Sequence, residues 1–498
     1  MLLGRLMGPQ VVALLLLLFA AGTATGSRTL SFAAFEPMSG TVDIEAINQE
    51  GTGREVLQPA YVRSMQELAD RQGGSTVRRF DWIRTQSRLF LNTKVFPGLE
   101  KVSLVIDERV RPTRSQHSSS IAEVAPGVLL AAWFGGTWER MGDVGIWTAR
   151  YMDGRWGPPQ QVAWPQEDWR NPGWMAPCWN PVLLHLAGKN ETLLMYKVGT
   201  NPEVWRGFMM RSYDGGLSWS EPRRMGENII GPTKGVPYVF DDGTILAGSS
   251  DEDGGWTVHL ELSRDGGETW ERYGEELDYG RGIIQPSIFR TSDGKMQMVM
   301  RTRRAGRVAE TESDNNGWSW DQVSLDRLQS PNAGLYAITL RDGRVALAHN
   351  FGSDGRNKLA LSLSYDNAGT YETVAMLQED EQSYPRMDEC VDPRDRDETD
   401  RAEYSYPYLL QTSDGMLHVT FTYSYFGSGG RCTGRENIKH VVIDPCKLGD
   451  PSKIPPTCPE PDPSIAARLA TRGLPATAAS MSIGVVDESA WASPSSSS

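Results

Sequence analysis

Three stretches of this chain repeat one pattern at nearly constant spacing: Ser212-Tyr-Asp-Gly-Gly-Leu-Ser-Trp219, Ser263-Arg-Asp-Gly-Gly-Glu-Thr-Trp270 and Ser313-Asp-Asn-Asn-Gly-Trp-Ser-Trp320. A weaker fourth copy is Ser364-Tyr-Asp-Asn-Ala-Gly-Thr-Tyr371, and the opening serines lie 51, 50 and 51 residues apart. A period near fifty residues means one supersecondary unit used repeatedly, and propellers are its usual home. Each copy has Asp or Asn and Gly for a tight turn, then an aromatic expected to pack back on its own blade.

A second repeat supports the first. Hairpin-like turns with glycines at 127, 188, 243, 294, 343 and 415 are spaced 61, 55, 51, 49 and 72 residues apart. Short apolar runs follow them, such as Val128-Leu-Leu-Ala-Ala-Trp133 and Thr244-Ile-Leu-Ala-Gly248, and read as buried strands. The expected fold is all-β, a six-bladed β-propeller over residues 101–450. The 51 Gly and 30 Pro serve its turns, and the 16 Trp fill gaps between blades.

Other segments stand outside the repeat. Residues 1–26 read as a signal peptide: Arg5, an apolar core from Val11 to Ala21, then small residues around Ala24 and Gly26. That core is short for a bilayer span, so no transmembrane anchor is expected after cleavage, and the protein is expected to be secreted or to lie in the secretory lumen. Residues 27–100 form an N-terminal extension with a helix-like stretch from Ala60 to Arg71. Arg386 to Glu403 is a charged insertion that accounts for the long gap between turns, and residues 451–498 are a disordered tail rich in Pro, Ala and Ser. Five cysteines in an oxidising compartment permit two bridges and leave one thiol, with Cys390, Cys432, Cys446 and Cys458 the better candidates and Cys178 apart from them. Asn190-Glu-Thr192 is a glycosylation sequon.

Charge narrows the partners. A net charge of −13 argues against nucleic acid. The six histidines, at 117, 185, 259, 349, 418 and 440, lack ligand spacing, so neither a metal nor another cofactor is expected.

A propeller gathers its site at one end of the central channel, so polar residues just before each inner apolar strand are the candidates. Six segments qualify: Arg114–Ile121, Cys178–Val182, Gly231–Val236, Ile283–Ser287, Ser330–Gly334 and Glu403–Pro407. Ala131-Ala-Trp-Phe-Gly-Gly-Thr-Trp-Glu139, Asp143-Val-Gly-Ile-Trp147, Trp179-Asn-Pro-Val182, Tyr196-Lys-Val-Gly199, Gly231-Pro-Thr-Lys234 and His440-Val-Val-Ile-Asp-Pro445 occur in order. With the four turn repeats, which resemble Asp-boxes, they resemble the sialidase-like BNR-repeat family over roughly residues 100–446.

That resemblance implies a glycosidase for sugars with a carboxylate on the anomeric carbon. In such enzymes three arginines clamp the carboxylate, a tyrosine is the nucleophile with a glutamate as its base, and a separate acid protonates the leaving group. A neutral phenol is suited to the nucleophile's role because the substrate carboxylate does not repel it. Carried over, the tyrosine falls on Tyr404, with Tyr406 as the other candidate on the same strand face, and two arginines fall on Arg301 and Arg356. His117 stands where the first arginine is expected, and Gln285 where the activating glutamate is expected; an amide does not take a phenol proton as a carboxylate does. Glu139 is the candidate acid and Asp143 a neighbouring one. Glu403 as a substitute base is disfavoured, because adjacent strand residues face opposite ways. Lys197, Lys234 and Asn180 complete the candidate substrate-binding set, and Trp133, Trp147, Trp179 and Trp205 are candidate stacking platforms. The expected function is an exo-glycoside hydrolase removing a terminal acidic sugar, sialic acid or a relative, from an extracellular glycan or glycoconjugate. The alternatives are a glycan-binding propeller without turnover, and a uronate-directed hydrolase or lyase on the same scaffold.

Overall fold

The Asp-box repeats show how sequence becomes blade. In the first, Ser212 Oγ accepts from Gly216 N at 2.8 Å, while Asp214 Oδ1 accepts from Leu217 N and Ser218 N at 3.0 and 2.9 Å. Asp265, Asn315 and Asp366 accept from the backbone N–H four residues on at 2.9, 3.0 and 2.9 Å, so one side chain closes each turn. Partial burial pushes the Asp214 carboxyl up, but the hydrogen bonds from Ser218, Ser212 and Leu217 outweigh it and hold the group at about 2. The turn forces the glycine at the fifth position to positive φ: +85° at Gly216, +87° at Gly267 and +80° at Gly317. Each glycine lies against the preceding blade, so an added Cβ would meet Leu130, Leu193 or Leu246 within 3 Å. The closing aromatic follows the glycine into that seam. Trp320, for example, is buried among Leu246, Leu260, Met296 and Met298, so the box ties two blades together rather than only folding onto its own.

The computed structural model describes residues 42–43, 94–107, 110–280, 282–379, 403–424 and 435–453. The expected signal peptide, the Ala60–Arg71 stretch, most of the charged insertion, the tail and Cys390, Cys432 and Cys458 lie outside the described residues. Six antiparallel sheets form a six-bladed β-propeller. Their inner strands are Ser115–Ala125, Cys178–Leu186, Tyr238–Val239, Ile283–Arg290, Tyr336–Thr339 and Tyr404–Gln411, opening blades 1 to 6. The Asp-boxes join the third and fourth strands of blades 2 to 5. Leu99–Leu104 pairs with Asn437–Ile443 as the fourth strand of blade 6, so the two ends of the described propeller complete one sheet. Val42–Asp43 pairs with Leu99–Leu104 in turn. Cys178 is a free, buried thiol and Cys446 is disulfide-bonded. Among the described residues no helix is long and apolar enough to cross a membrane.

One irregularity recurs on the inner strands. In blade 2, Trp179 pairs with Lys197 and Val182 with Met195, so Asn180 and Pro181 share one partner. The same bulge falls at Ser118-Ser119, Gln285-Pro286 and Tyr406-Pro407. Its first residue has φ of +54° at Ser118, +32° at Asn180, +57° at Gln285 and +53° at Tyr406. Proline suits the second place because it has no N–H to leave unpaired. The bulge turns its first side chain out of the strand's alternation.

A candidate active site at the channel mouth

The bulges decide which tyrosine faces the channel. Tyr404 is 1 % exposed and stacks on Tyr423 at 5.5 Å within the core between blades 5 and 6. Tyr406 was expected on the same face, but its positive φ directs its phenol toward blade 4. There its oxygen accepts from Arg301 Nη1 at 2.7 Å and Gln285 Nε2 at 3.1 Å. Gln285 Oε1 accepts from Arg301 Nη1 at 3.3 Å, which fixes the amide with its NH₂ toward the phenol. Tyr404, taken as the catalytic tyrosine from the sequence, is therefore outside this cluster and Tyr406 is inside it.

Two further guanidiniums meet the same wall. Arg356 Nη1 donates to Glu403 Oε1 at 3.0 Å, and Arg435 Nε donates to Glu403 Oε2 at 2.7 Å. Asn332 ties two arginines together: its Oδ1 accepts from Arg301 Nε at 2.6 Å and its carbonyl from Arg356 Nη2 at 2.8 Å. The guanidinium carbons of Arg301 and Arg356 lie 5.9 and 5.7 Å from the Tyr406 ring centre. Burial would raise the Glu403 carboxyl, but Arg435 and Arg356 hold it well below the usual carboxylate range. Glu403 is thus an ionised brace between two arginines, not a base for Tyr406. Arg435 escaped the sequence reading, although its place two residues before Asn437–Ile443, the third strand of blade 6, puts it at the same end of that blade.

Glu139 and Asp143 are placed differently from each other. Glu139 is ion-paired with Arg435 on blade 6. Asp143 Oδ2 accepts from Thr137 N and Oγ1 at 2.8 and 2.6 Å, capping its own loop. His117 touches Tyr406 with ring centres 4.3 Å apart, and its Nδ1 lies 2.8 Å from Thr422 Oγ1. Burial, reinforced by Arg435 against the opposing charge of Glu403, depresses His117 well below the ordinary histidine value, so it is a neutral ring and not a third cation.

Lys197 and Lys234 lie in the channel wall, 0 % and 3 % exposed. Bulges free carbonyls from their ladders, and buried carbonyls need donors. Lys234 Nζ donates to Pro407 O at 2.6 Å, and Lys197 to Pro232 O and to Asn180 O. Asn180 Nδ2 donates to Thr233 O at 3.0 Å. Asn180 and Lys197 clasp blade 2 to the segment entering blade 3, and Lys234 reaches from that segment to blade 6 on the opposite side of the ring. Burial brings both lysines down to about 7. Trp133 and Trp179 are buried, their indole N–H groups donating to Gln116 Oε1 and Gly199 O.

A family model described as a BNR repeat-like domain matches residues 127–419. Among solved structures, a Hadza microbial sialidase is 16% identical with a TM-score of 0.52, the match covering 69% of this chain and 68% of that one. The intramolecular trans-sialidase from Ruminococcus gnavus is 13% identical with a TM-score of 0.51, covering 68% of this chain and 97% of that one. A protein of unknown function from Dyadobacter fermentans is 18% identical with a TM-score of 0.50, covering 69% and 98%. At these identities the likeness shows the fold alone. No curated protein matches the sequence.

Proposed function

This chain belongs to the BNR repeat-like domain family, in its sialidase-like form, and from that premise we propose that it is an exo-glycoside hydrolase for a terminal acidic sugar on extracellular glycans. The observation that carries the reading is the gathering of Arg301 and Arg356, from blades 4 and 5, against the Tyr406 ring, with Arg435 of blade 6 joined to Arg356 through Glu403. Three guanidiniums stand against the carboxylates of Glu403 and Glu139, which leaves one positive charge for one substrate carboxylate. Arg301 spends Nε and Nη1 on Asn332, Gln285 and Tyr406, so its Nη2 edge is the one to offer the sugar. Arg301 and Gln285 both donate to the Tyr406 oxygen. They would stabilise a phenolate at the anomeric carbon once the proton has left.

One observation favours a second reading. Tyr406 meets an amide at Gln285 where a carboxylate would take its proton. A propeller that binds the acidic sugar without cutting it would keep the arginines and do without the base.

The test is release of a fluorescent aglycone from an α-sialoside, a β-glucuronide and a neutral β-galactoside by the purified protein. Turnover of an acidic glycoside alone is expected, and which one is cleaved names the sugar. Silence on all three, with acidic-sugar binding that Arg301→Met removes, would establish the binding propeller. Preference for the neutral glycoside, or neither turnover nor binding, would overturn both readings.

A further inference from the structure

The hydrolase reading leaves the leaving group without an acid, because Glu139 is held by Arg435 and Asp143 caps its own loop. A fourth carboxylate at the mouth is differently situated. Glu252 directly follows Ile245–Asp251, the second strand of blade 3. In every blade that strand climbs away from the hairpin turn toward the mouth, so Glu252 emerges level with Glu139 of blade 1 and Arg301 of blade 4. The loop it begins is fastened beside Arg301. Trp256 O accepts from Ile283 N at 3.0 Å, and the Trp256 ring centre lies 5.3 Å from the Arg301 guanidinium.

Glu252 is partly buried and makes no ion pair or hydrogen bond among the described residues. Burial pushes its carboxyl up to about 7; Arg301 of blade 4 and Arg140 of blade 1 oppose that, and Glu139 of blade 1 and Glu203 of blade 2 reinforce it. A large fraction therefore keeps its proton at neutral pH, the state a general acid needs. Glu252 also lines a cavity of about 250 Å³ between blades 2 and 3, with Asp251, Trp169, Trp205, Arg206 and Arg272. The Arg206 guanidinium lies 3.6 Å from the Trp169 ring centre, a flat, polar-edged wall of the kind that takes a sugar face.

Resting on the hydrolase reading, we propose that Glu252 is the proton donor to the leaving group and that this cavity receives the first residue of the aglycone. As the Tyr406 phenolate oxygen bonds to the anomeric carbon, the bond from that carbon to the glycosidic oxygen breaks, its electron pair goes to that oxygen, and the oxygen takes the proton of Glu252. The water that completes turnover then bonds to the anomeric carbon as the bond to Tyr406 breaks and its electron pair returns to the phenolate, and the water gives a proton back to the Glu252 carboxylate.

Leaving-group dependence tests the assignment in the full chain, using an acidic glycoside with a saccharide aglycone and one with an acidic phenol aglycone. An acidic phenol departs with little protonation. Glu252→Gln should therefore lower kcat/KM on the saccharide by about 10²-fold or more and on the aryl glycoside by less than tenfold. The alkaline limb of the wild-type pH profile should also disappear. Trp169→Ala should raise KM for the saccharide substrate only. Equal losses of Glu252→Gln on both substrates, an alkaline limb that persists, or the selective loss appearing in Glu139→Gln instead would overturn the assignment while leaving the hydrolase reading standing. A wild-type protein that cleaves neither substrate overturns that reading and this one with it. Melting curves of Glu252→Gln and Glu252→Asp identify a variant whose loss reflects misfolding, and the comparison then rests on the folded one.

Discussion

Tyr404 and Tyr406 are chemically alike and two residues apart, yet one backbone torsion puts the first in the core and the second against Arg301. Tyr406→Phe removes the oxygen to which Arg301 and Gln285 both donate, and should reduce turnover of an acidic glycoside by about 10³-fold or more. Tyr404→Phe should leave kcat and KM within a few-fold and act on stability alone, read as a lower denaturant midpoint. The reverse pattern would return the nucleophile to Tyr404. Gln285→Glu exchanges a donor to the phenol for an acceptor of its proton. If the absent base limits the rate, kcat should rise about tenfold, and the rise should follow the ionisation of the new carboxyl. An unchanged or lower kcat, with weaker binding of the acidic sugar, would show that the amide serves to keep Arg301 fully charged toward its ligand.

At the scale of the element, the Asp-box was legible because its chemistry is local. One Asp or Asn, one Ser and one Gly within eight residues close the turn, and the period announced the blades. The fourth box has Ala368 at φ +70° in the glycine's place, buried in the seam between blades 4 and 5, which explains why that copy read as weaker. Gly216→Ala should cost more than Gly127→Ala. Both pay about 1–2 kcal/mol for a left-handed alanine, but only at Gly216 does the new methyl meet Leu130, at 2.6 Å, while Gly127 has nothing within 4 Å. Chemical denaturation of the two variants checks the order, and equal costs would show that the seam yields freely. The inner-strand bulges were not legible. Asn180-Pro181, Gln285-Pro286 and Tyr406-Pro407 each carry a proline, but no local rule sets the preceding residue at positive φ, so two-residue alternation put Tyr404 and Tyr406 on one face. The same blindness made site cations of Lys197 and Lys234, whose partners include the bulge carbonyls of Asn180 and Pro407. Arg435 and Glu252 were missed because each stands at a strand end with no repeat to mark it, and only the ring brings them to the mouth.

For the whole molecule, burial sets the response to pH. His117, His349, His418 and His440 are all depressed by burial, His349 and His418 to about 4. Below about pH 6.5 the unfolded chain takes up protons that the folded one refuses, so stability falls as pH drops. Lys197, Lys234 and Lys439 are brought down to about 7, so between about 7 and 10.5 the unfolded chain again holds more protons, and stability rises with pH through that window. The melting temperature should therefore be higher at pH 7 than at pH 5 and no lower at pH 9. A decline from pH 7 to 9 would mean that the buried lysines stay charged in the folded protein.

Closure of the ring has a consequence in time. Ser103 and His440 face each other across the strand pair that finishes blade 6, and 337 residues separate them. At about 5–20 residues per second, a growing chain keeps the earlier strand waiting for roughly 15 to 70 seconds before its partner exists. Through that interval five blades can assemble with both outer edges of the arc open, each a template for the wrong strand. The partner strand Asn437–Ile443 is among the last parts of the propeller to be made, so a chain cut short before it has nearly all of its seams and no ring.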